Sequence, residues 1–447
     1  MLQRKIEKEL AKFRADNGRY ALLVSGARQV GKTFIVEDFG RKNYEHLVEI
    51  NFIREPEALA VFNGVQNAED VRLRLSTYLG MKTRKGRTLV FLDEVQKCPE
   101  AVTYMKFLVQ EGNVHYVLSG SLLGIELQNI RSVPVGFLNE VQMYPLDFEE
   151  FLWAVGAPRE MLDASREAYQ NRRPVDAFFH ERLLRYFRLY LVVGGMPDAV
   201  NSYLRANDLA EVIASQKRIL REYRRDISQY DAKNALRIKE IFDRIPSELN
   251  KQNRRFRFWG VLNGSHFDRI ENDFLWLKEA GVAIPSYNVE LPCPPLELSR
   301  KRNLFKLFSN DVGLLAAMYM DGIQLKVLNG DVSMNIGAIY ENVVAQELTA
   351  HGFSPNYYNS KKQGELDFVV ERDGYSLPIE VKSGKDYKHH SALDNLLGDG
   401  NYPISEAYVL SNGNLQVEGK ITYLPIYMTM FLLPTAFPET MIYRVDV

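Results

Sequence analysis

The chain has 447 residues, 46% hydrophobic and 25% charged, ordinary values for a soluble globular protein of about three domains. A formal net charge of −1 excludes a globally basic chain, so binding to an acidic polymer would have to come from local patches. Two cysteines, Cys98 and Cys293, are too few for a disulfide framework or a zinc site and fit a reducing compartment.

The first 155 residues alternate between strand and helix patterns. Strand-like runs at 21–25, 46–52, 88–92 and 114–118 are interleaved with helical segments near 33–42, 68–79 and 99–111. Such alternation predicts a doubly wound α/β domain on a parallel sheet. Its first strand runs into GARQVGKT, where Gly26, Gly31, Lys32 and Thr33 fit the spacing G-x-x-x-x-G-K-[ST] between a strand and a helix. Glycines let successive N–H groups turn inward, and the helix start adds its positive dipole end. Gly26, Ala27, Arg28, Gln29, Val30, Gly31, Lys32 and Thr33 are therefore expected to cradle ATP. Lys32 would reach the β/γ-phosphates and Thr33 would place its hydroxyl on Mg2+.

The run TLVFLDEVQ ends in two acids where a parallel strand meets its carboxyl edge, the edge at which ligands gather. Asp93 is expected to hold Mg2+ through water, and Glu94 to orient or deprotonate an attacking water. HYVLSGS ends in small polar residues, of which Ser119 is the candidate sensor of the γ-phosphate.

Residues 156–232 read as a helical lid broken at Gly194-Gly195 and Pro197, and 233–328 as a winged-helix domain. The latter holds the helix SHFDRIENDFLWLKEAG and the strand candidates AIPSYNV and NLFKLF. KQNRRFRFWG places Arg254, Arg255 and Arg257 where DNA could be met. The alternative is that its aromatics are core and its arginines solvated. Arg218, Arg221 and Arg225 share one helix face, either as arginine fingers towards a neighbouring subunit or as a basic face paired with Glu222 and Asp226.

The rest, 329–447, begins with a helix and continues in strands. Asp373-Gly374 is a two-residue hairpin signal. If Arg372 and Tyr375 close that turn, Asp367 faces Glu380 and Glu365 faces Lys382 at positions where side chains come closest. Opposed carboxylates repel, and a divalent metal between them, with Lys382 beside it, would relieve this. In the alternative, Lys382 simply pairs with the acids. YLPIYMTMFLLP is too short to span a bilayer, and no N-terminal signal pattern is present, so a cytoplasmic protein without membrane contact is expected.

GARQVGKT, FLDEVQ, LSGS, MYPLDFEEFL, GGMPDAV, EYRRDI, GELDF and IEVKSG together resemble a family of bacterial and archaeal AAA-like P-loop ATPases. Its members carry a C-terminal domain of unassigned function related to restriction-endonuclease folds. The chain departs from the family where Gly136 is followed by Phe137 rather than Arg. The resemblance implies a P-loop sheet domain with a helical lid, a winged-helix domain and a C-terminal α/β nuclease-like domain. The hairpin is similar to a PD-(D/E)-x-K site, with Glu341, Asp367 and Glu380 as metal ligands and Lys382 as the second catalytic group. Two functions compete: a Mg-dependent ATPase acting on nucleic acid, and a nucleotide-controlled switch built on an inactive nuclease-like scaffold. Self-association or an unknown protein partner is open in both.

Overall fold

The computed structural model describes residues 2–65, 67–80, 86–112, 114–121, 136–230, 234–251, 256, 271–319, 322–330 and 336–435. Helix α1 (Glu7–Ala15) precedes five parallel strands and their crossover helices: β1 (Ala21–Ser25), α2 (Lys32–Asn43), β2 (His46–Asn51), the short α3 (Leu59–Phe62), α4 (Ala68–Leu79), β3 (Thr88–Asp93), α5 (Pro99–Glu111), β4 (His115–Ser119) and β5 (Leu138–Gln142). The sheet order is β2-β3-β4-β1-β5. Its central strands β3, β4 and β1 are buried throughout because both faces are covered, while the edge strands β2 and β5 are partly exposed. Leu22, Val24, Leu89 and Phe91 pack with Phe13 of α1 and Ile35, Val36 and Phe39 of α2. Leu23, Val90, Leu92 and Leu118 face the opposite way, towards Phe62, Val71 and Met105. Local signals set the crossover ends: Asn67 caps α4 by accepting from the Asp70 N–H at 2.9 Å, and Pro99 opens α5.

Six helices follow: α6 (Phe148–Ala154), α7 (Arg159–Gln170), α8 (Ala177–Val193), α9 (Pro197–Ala206), α10 (Leu209–Tyr230) and α11 (Ala235–Leu249). The Gly194-Gly195 pair joins three elements. A Cβ on Gly195 would stand 1.9 Å from the Leu146 carbonyl oxygen, and one on Gly194 would stand 2.3 Å from Asp311 Oδ1. The Gly195 N–H donates to Asp311 at 2.6 Å, and the Gly195 carbonyl accepts from Leu146 at 2.7 Å. This close approach packs the GGMP turn against the MYPLDFEEF segment.

Beyond α12 (Glu271–Glu279), β6 (Ala283–Val289) and β7 (Arg300–Ser309) lie α13 (Val312–Met318), α14 (Ile323–Leu328) and α15 (Gly337–Ala350), then β8 (Asn356–Ser360), β9 (Gly364–Arg372), β10 (Tyr375–Val381), α16 (Ser391–Gly398), β11 (Ala407–Ser411), β12 (Gln416–Glu418) and β13 (Ile421–Pro425). Strands β6 and β7 do not form a wing; they complete one eight-stranded sheet, β12-β13-β11-β10-β9-β8-β6-β7, with β6 parallel to β8. The edge of β8 pairs with β6 from Tyr287 to Val289, backbone groups that a free two-stranded wing would leave to solvent. Phe256 is core, as the bland reading of KQNRRFRFWG expects: its N–H donates to the Phe305 carbonyl at 2.9 Å, and its ring stands 5.3 Å from that of Phe274. Arg254, Arg255 and Arg257 lie outside the described residues.

The β9–β10 hairpin has the predicted register, from Arg372 opposite Tyr375 to Phe368 opposite Ile379. Asp373 and Gly374 turn it with φ of 54° and 79°.

Candidate functional site

The loop between β1 and α2 ends on Gly31, which caps α2 at φ 96°, a backbone region glycine enters without steric cost. Lys32, 8% exposed, folds back so that its Nζ donates to the Gly26 and Ala27 carbonyls, both at 2.8 Å. Burial lowers its pKa to about 8, against the pull of Glu94 and Asp93. The ammonium thus rests on neutral dipoles at the floor of the loop.

Three strand ends bring polar groups to one carboxylate. Asp93, at the end of β3, accepts from the Thr33 hydroxyl at 3.0 Å and from the Asn51 amide at 2.8 Å on Oδ2, and from the Ser119 hydroxyl on Oδ1. Thr33, Asp93 and Ser119 therefore come together as the pattern predicts, although Ser119 holds Asp93. Asn51 was not singled out; a polar residue closing the strand HLVEIN is the signal that marks it. Glu94 follows in a left-handed conformation, φ 57°, costly for a non-glycine residue, and its carboxylate accepts from Gln96. Hydroxyl and carboxylate oxygens beside a lysine fit a nucleotide-bound magnesium ion, which prefers hard oxygen donors.

The loop is gripped from two further sides. Arg28 Nη1 pairs with Asp226 of α10 at 2.6 Å, Gln29 donates to Glu222, and the Tyr223 hydroxyl donates to the Arg28 carbonyl at 3.2 Å. Glu222 and Asp226 thus turn to the loop, while Arg218 pairs with Asp198 and Arg221 and Arg225 lie on the exposed face of α10. From the N-terminus, Arg4 donates to the Val30 carbonyl at 3.0 Å and to the Tyr144 carbonyl at 2.6 Å, and pairs with Glu150 at 3.1 Å. Glycine at 281 lets the segment after α12 lie against the loop, since a Cβ there would be 3.1 Å from the Ala27 nitrogen.

The carboxylates of the C-terminal sheet gather around a cation that sequence reasoning missed. Lys306 of β7 is fully buried, its Nζ 2.9 Å from Glu365, 3.7 Å from Glu341 and 3.9 Å from Asp367. Glu365, expected opposite Lys382, takes Lys306 and the Asn359 amide instead. Asp367 Oδ2 accepts from the Val381 N–H at 2.9 Å, and Lys382 reaches Glu380 at 2.9 Å. Burial, then the neighbouring Asp367, pushes the Glu380 carboxyl up to about 7 against the pull of both lysines. Among the described residues no three His, Cys, Asp or Glu side chains converge to hold a metal ion. Of the expected metal set, Glu341 and Asp367 stand within ion-pair range of the Lys306 ammonium, and Glu380 pairs with Lys382. No described helix is long and apolar enough to cross a membrane.

Residues 18–152 match the AAA domain family, 184–326 a domain of unknown function (DUF8612) and 336–429 another (DUF4143). No curated protein matches the chain. Among solved structures, a Walker-type ATPase of Pyrococcus abyssi is 15% identical with a TM-score of 0.44, over 72% of this chain and 96% of that one. The Aeropyrum pernix Orc1 protein, solved in complex with DNA, is 12% identical with a TM-score of 0.31, over 73% and 94%. A STAND-type signal transduction ATPase of Pyrococcus horikoshii is 12% identical with a TM-score of 0.27, over 78% and 45%. The chain thus carries a region similar to AAA domains and a C-terminal region similar to a domain of unknown function.

Proposed function

We propose that the protein is a Mg-dependent ATPase that works as a nucleotide-controlled switch, with α10 and the C-terminal sheet as the parts that respond. The observation that carries this reading is Asp93, held by Thr33, Asn51 and Ser119 at one sheet edge beside Lys32. Lys32 would leave the Gly26 and Ala27 carbonyls for the β/γ-phosphates, exchanging neutral acceptors for charged ones. Thr33 and Asp93 would hold the magnesium ion, which when bound neutralises charge developing on the phosphate oxygens. Glu94, beyond the strand end, would orient the attacking water and take its proton.

The switch reading draws on contacts that leave the loop. Arg28 and Gln29 meet Asp226 and Glu222 of α10, and Tyr223 of the same helix accepts from Asn310, the residue after β7, at 3.4 Å. A phosphate group entering the loop therefore competes with carboxylates on a helix that touches the second sheet. The nucleic-acid reading keeps Arg254, Arg255 and Arg257 as its candidates. Phosphate release from ATP, measured with and without duplex and single-stranded DNA, separates the two. Turnover that depends on Lys32 and ignores DNA supports the switch, DNA-stimulated turnover supports action on nucleic acid, and absence of turnover with intact fold removes the ATPase assignment.

A further inference from the structure

A lysine side chain with no accessible surface is rare, because an ammonium leaves water only when anions replace the lost hydration. Lys306 meets that requirement through carboxylates of two other elements, Glu341 of α15 and Glu365 and Asp367 of β9, and its ammonium lies 5.1 Å from the ring centre of Tyr357 on β8. Glu380 of β10 pairs with Lys382 of the same segment. The chain crosses its own sheet to deliver this charge: β7 is the edge strand, and β6 and β8 separate it from β9.

The position matters more than the burial. Glu341, Asp367 and Glu380 are the acids that a PD-(D/E)-x-K-like site would turn on a divalent ion. Such an ion takes oxygen ligands at about 2.1 Å and would have to share Glu365, Glu341 and Asp367 with an ammonium 2.9 to 3.9 Å from them. Two cations at that separation repel, and the buried lysine has no solvent to retreat into. Its neighbours Phe305, Leu307 and Phe308 are buried apolar groups, and at the far end of β7 Arg300 and Lys301 pair with Glu297 and Glu290.

We propose that Lys306 is the resident cation of this cluster, standing where a metal-dependent nuclease would hold its divalent ion, and that it forms a metal-independent ionic lock between β7 and the C-terminal strands. The lock joins the two domains of unknown function, since Lys306 lies within residues 184–326 and its carboxylates within 336–429. It is independent of the ATPase reading.

The test uses the full chain carrying Lys32→Ala, without nucleotide, so that the P-loop contributes no magnesium site. Mn2+ is titrated and its binding followed by the free-ion electron paramagnetic resonance signal, with and without Asp367→Asn. The expected result is no saturable site that depends on Asp367. A bound Mn2+ lost in Asp367→Asn overturns the proposal. A second variant, Lys306→Met, keeps the length of the side chain and removes its charge. Its melting temperature should fall below that of the parent at pH 8. Equal melting temperatures overturn the lock. If Lys306→Met does not fold, the Mn2+ titration of the Lys306-bearing protein still decides.

Discussion

Two buried lysines stand beside carboxylates in this molecule, and their surroundings give them opposite uses. Lys32 rests on the Gly26 and Ala27 carbonyls, with its carboxylate neighbours out of ion-pair contact. Lys306 is in ion-pair range of three carboxylates and has no exposed surface. A cation on neutral dipoles gains by moving to an incoming phosphate; a cation already matched by carboxylates loses by moving anywhere. A lysine near acids is therefore not a catalytic signature by itself. What its nitrogen touches in the resting state decides whether the charge is available.

The sharpest way to break this comparison is to remove the available charge. Lys32→Ala should lower ATP turnover by about 10²–10³-fold or more, the scale of losing a preorganised charge-stabilising group, with the fold retained by circular dichroism. Turnover within a factor of two of the parent would show that Lys32 is as fixed as Lys306. Glu94→Gln should separate the two halves of the reaction: nucleotide binding, followed by fluorescence of a labelled ATP analogue, stays within a few-fold, while turnover drops by about 10²–10⁴-fold as general-base catalysis is lost. A folded Glu94→Gln protein that no longer binds the analogue would place Glu94 among the binding groups.

The two regions also differ in how legible they were. The P-loop sheet was readable where its strands are apolar runs and its helices carry local punctuation; α4 and α5 occupy 68–79 and 99–111, the spans the pattern predicts, while the mostly exposed edge strand β5, LNEVQ, escapes it. The hairpin register was readable from Asp373-Gly374 alone. What failed was long-range. No local pattern says that NLFKLF pairs into a sheet begun 50 residues later, so β6 and β7 read as a wing. The one hint was the lysine itself: Lys306 interrupts an apolar strand between Phe305 and Leu307, where only a buried counter-charge makes a lysine tolerable. Likewise, Glu222 and Asp226 share a helix with Arg218, Arg221 and Arg225 and read locally as their partners, yet Arg28 and Gln29 claim them across nearly 200 residues.

A smaller effect sharpens the C-terminal half of the comparison. The Glu380 carboxyl, ordinarily near 4.5, is pushed up to about 7 by burial and by Asp367. Between those values the folded chain holds a proton that the unfolded chain releases, so the contribution to stability is complete below about 4.5 and lost as pH rises through about 7. Glu380→Gln cannot ionise. It should melt a few degrees above the parent at pH 8 and close to it at pH 5, as read by thermal unfolding across that range. Glu347, pushed up to about 7 by burial and Asp147, keeps part of the same slope in the variant. A variant that melts lower than the parent at pH 8 would mean that ionised Glu380 is needed by Lys382 more than it is opposed by Asp367.

The smallest expected effect bears on whether the P-loop charge is free of the rest of the molecule. Asp226 meets Arg28 at 2.6 Å, with the Asp226 carboxyl mostly buried and its pKa raised by burial and by Glu222, against the pull of Arg28. Each ionised carboxylate on α10 does two things to an incoming polyphosphate: it occupies a loop side chain that could meet the phosphates, and it repels them. Asp226→Asn removes the repulsion and weakens the hold on Arg28 while keeping a hydrogen-bonding side chain of the same size. Arg28 is 37% exposed on its side chain, so the pair is screened and the gain is modest. Affinity for the labelled ATP analogue should rise about two- to ten-fold, the equivalent of roughly 0.4–1.4 kcal/mol, and the rise should shrink in high salt. If affinity instead falls, the Arg28–Asp226 pair is part of the binding-competent loop, and α10 supports the nucleotide where the switch reading has it compete.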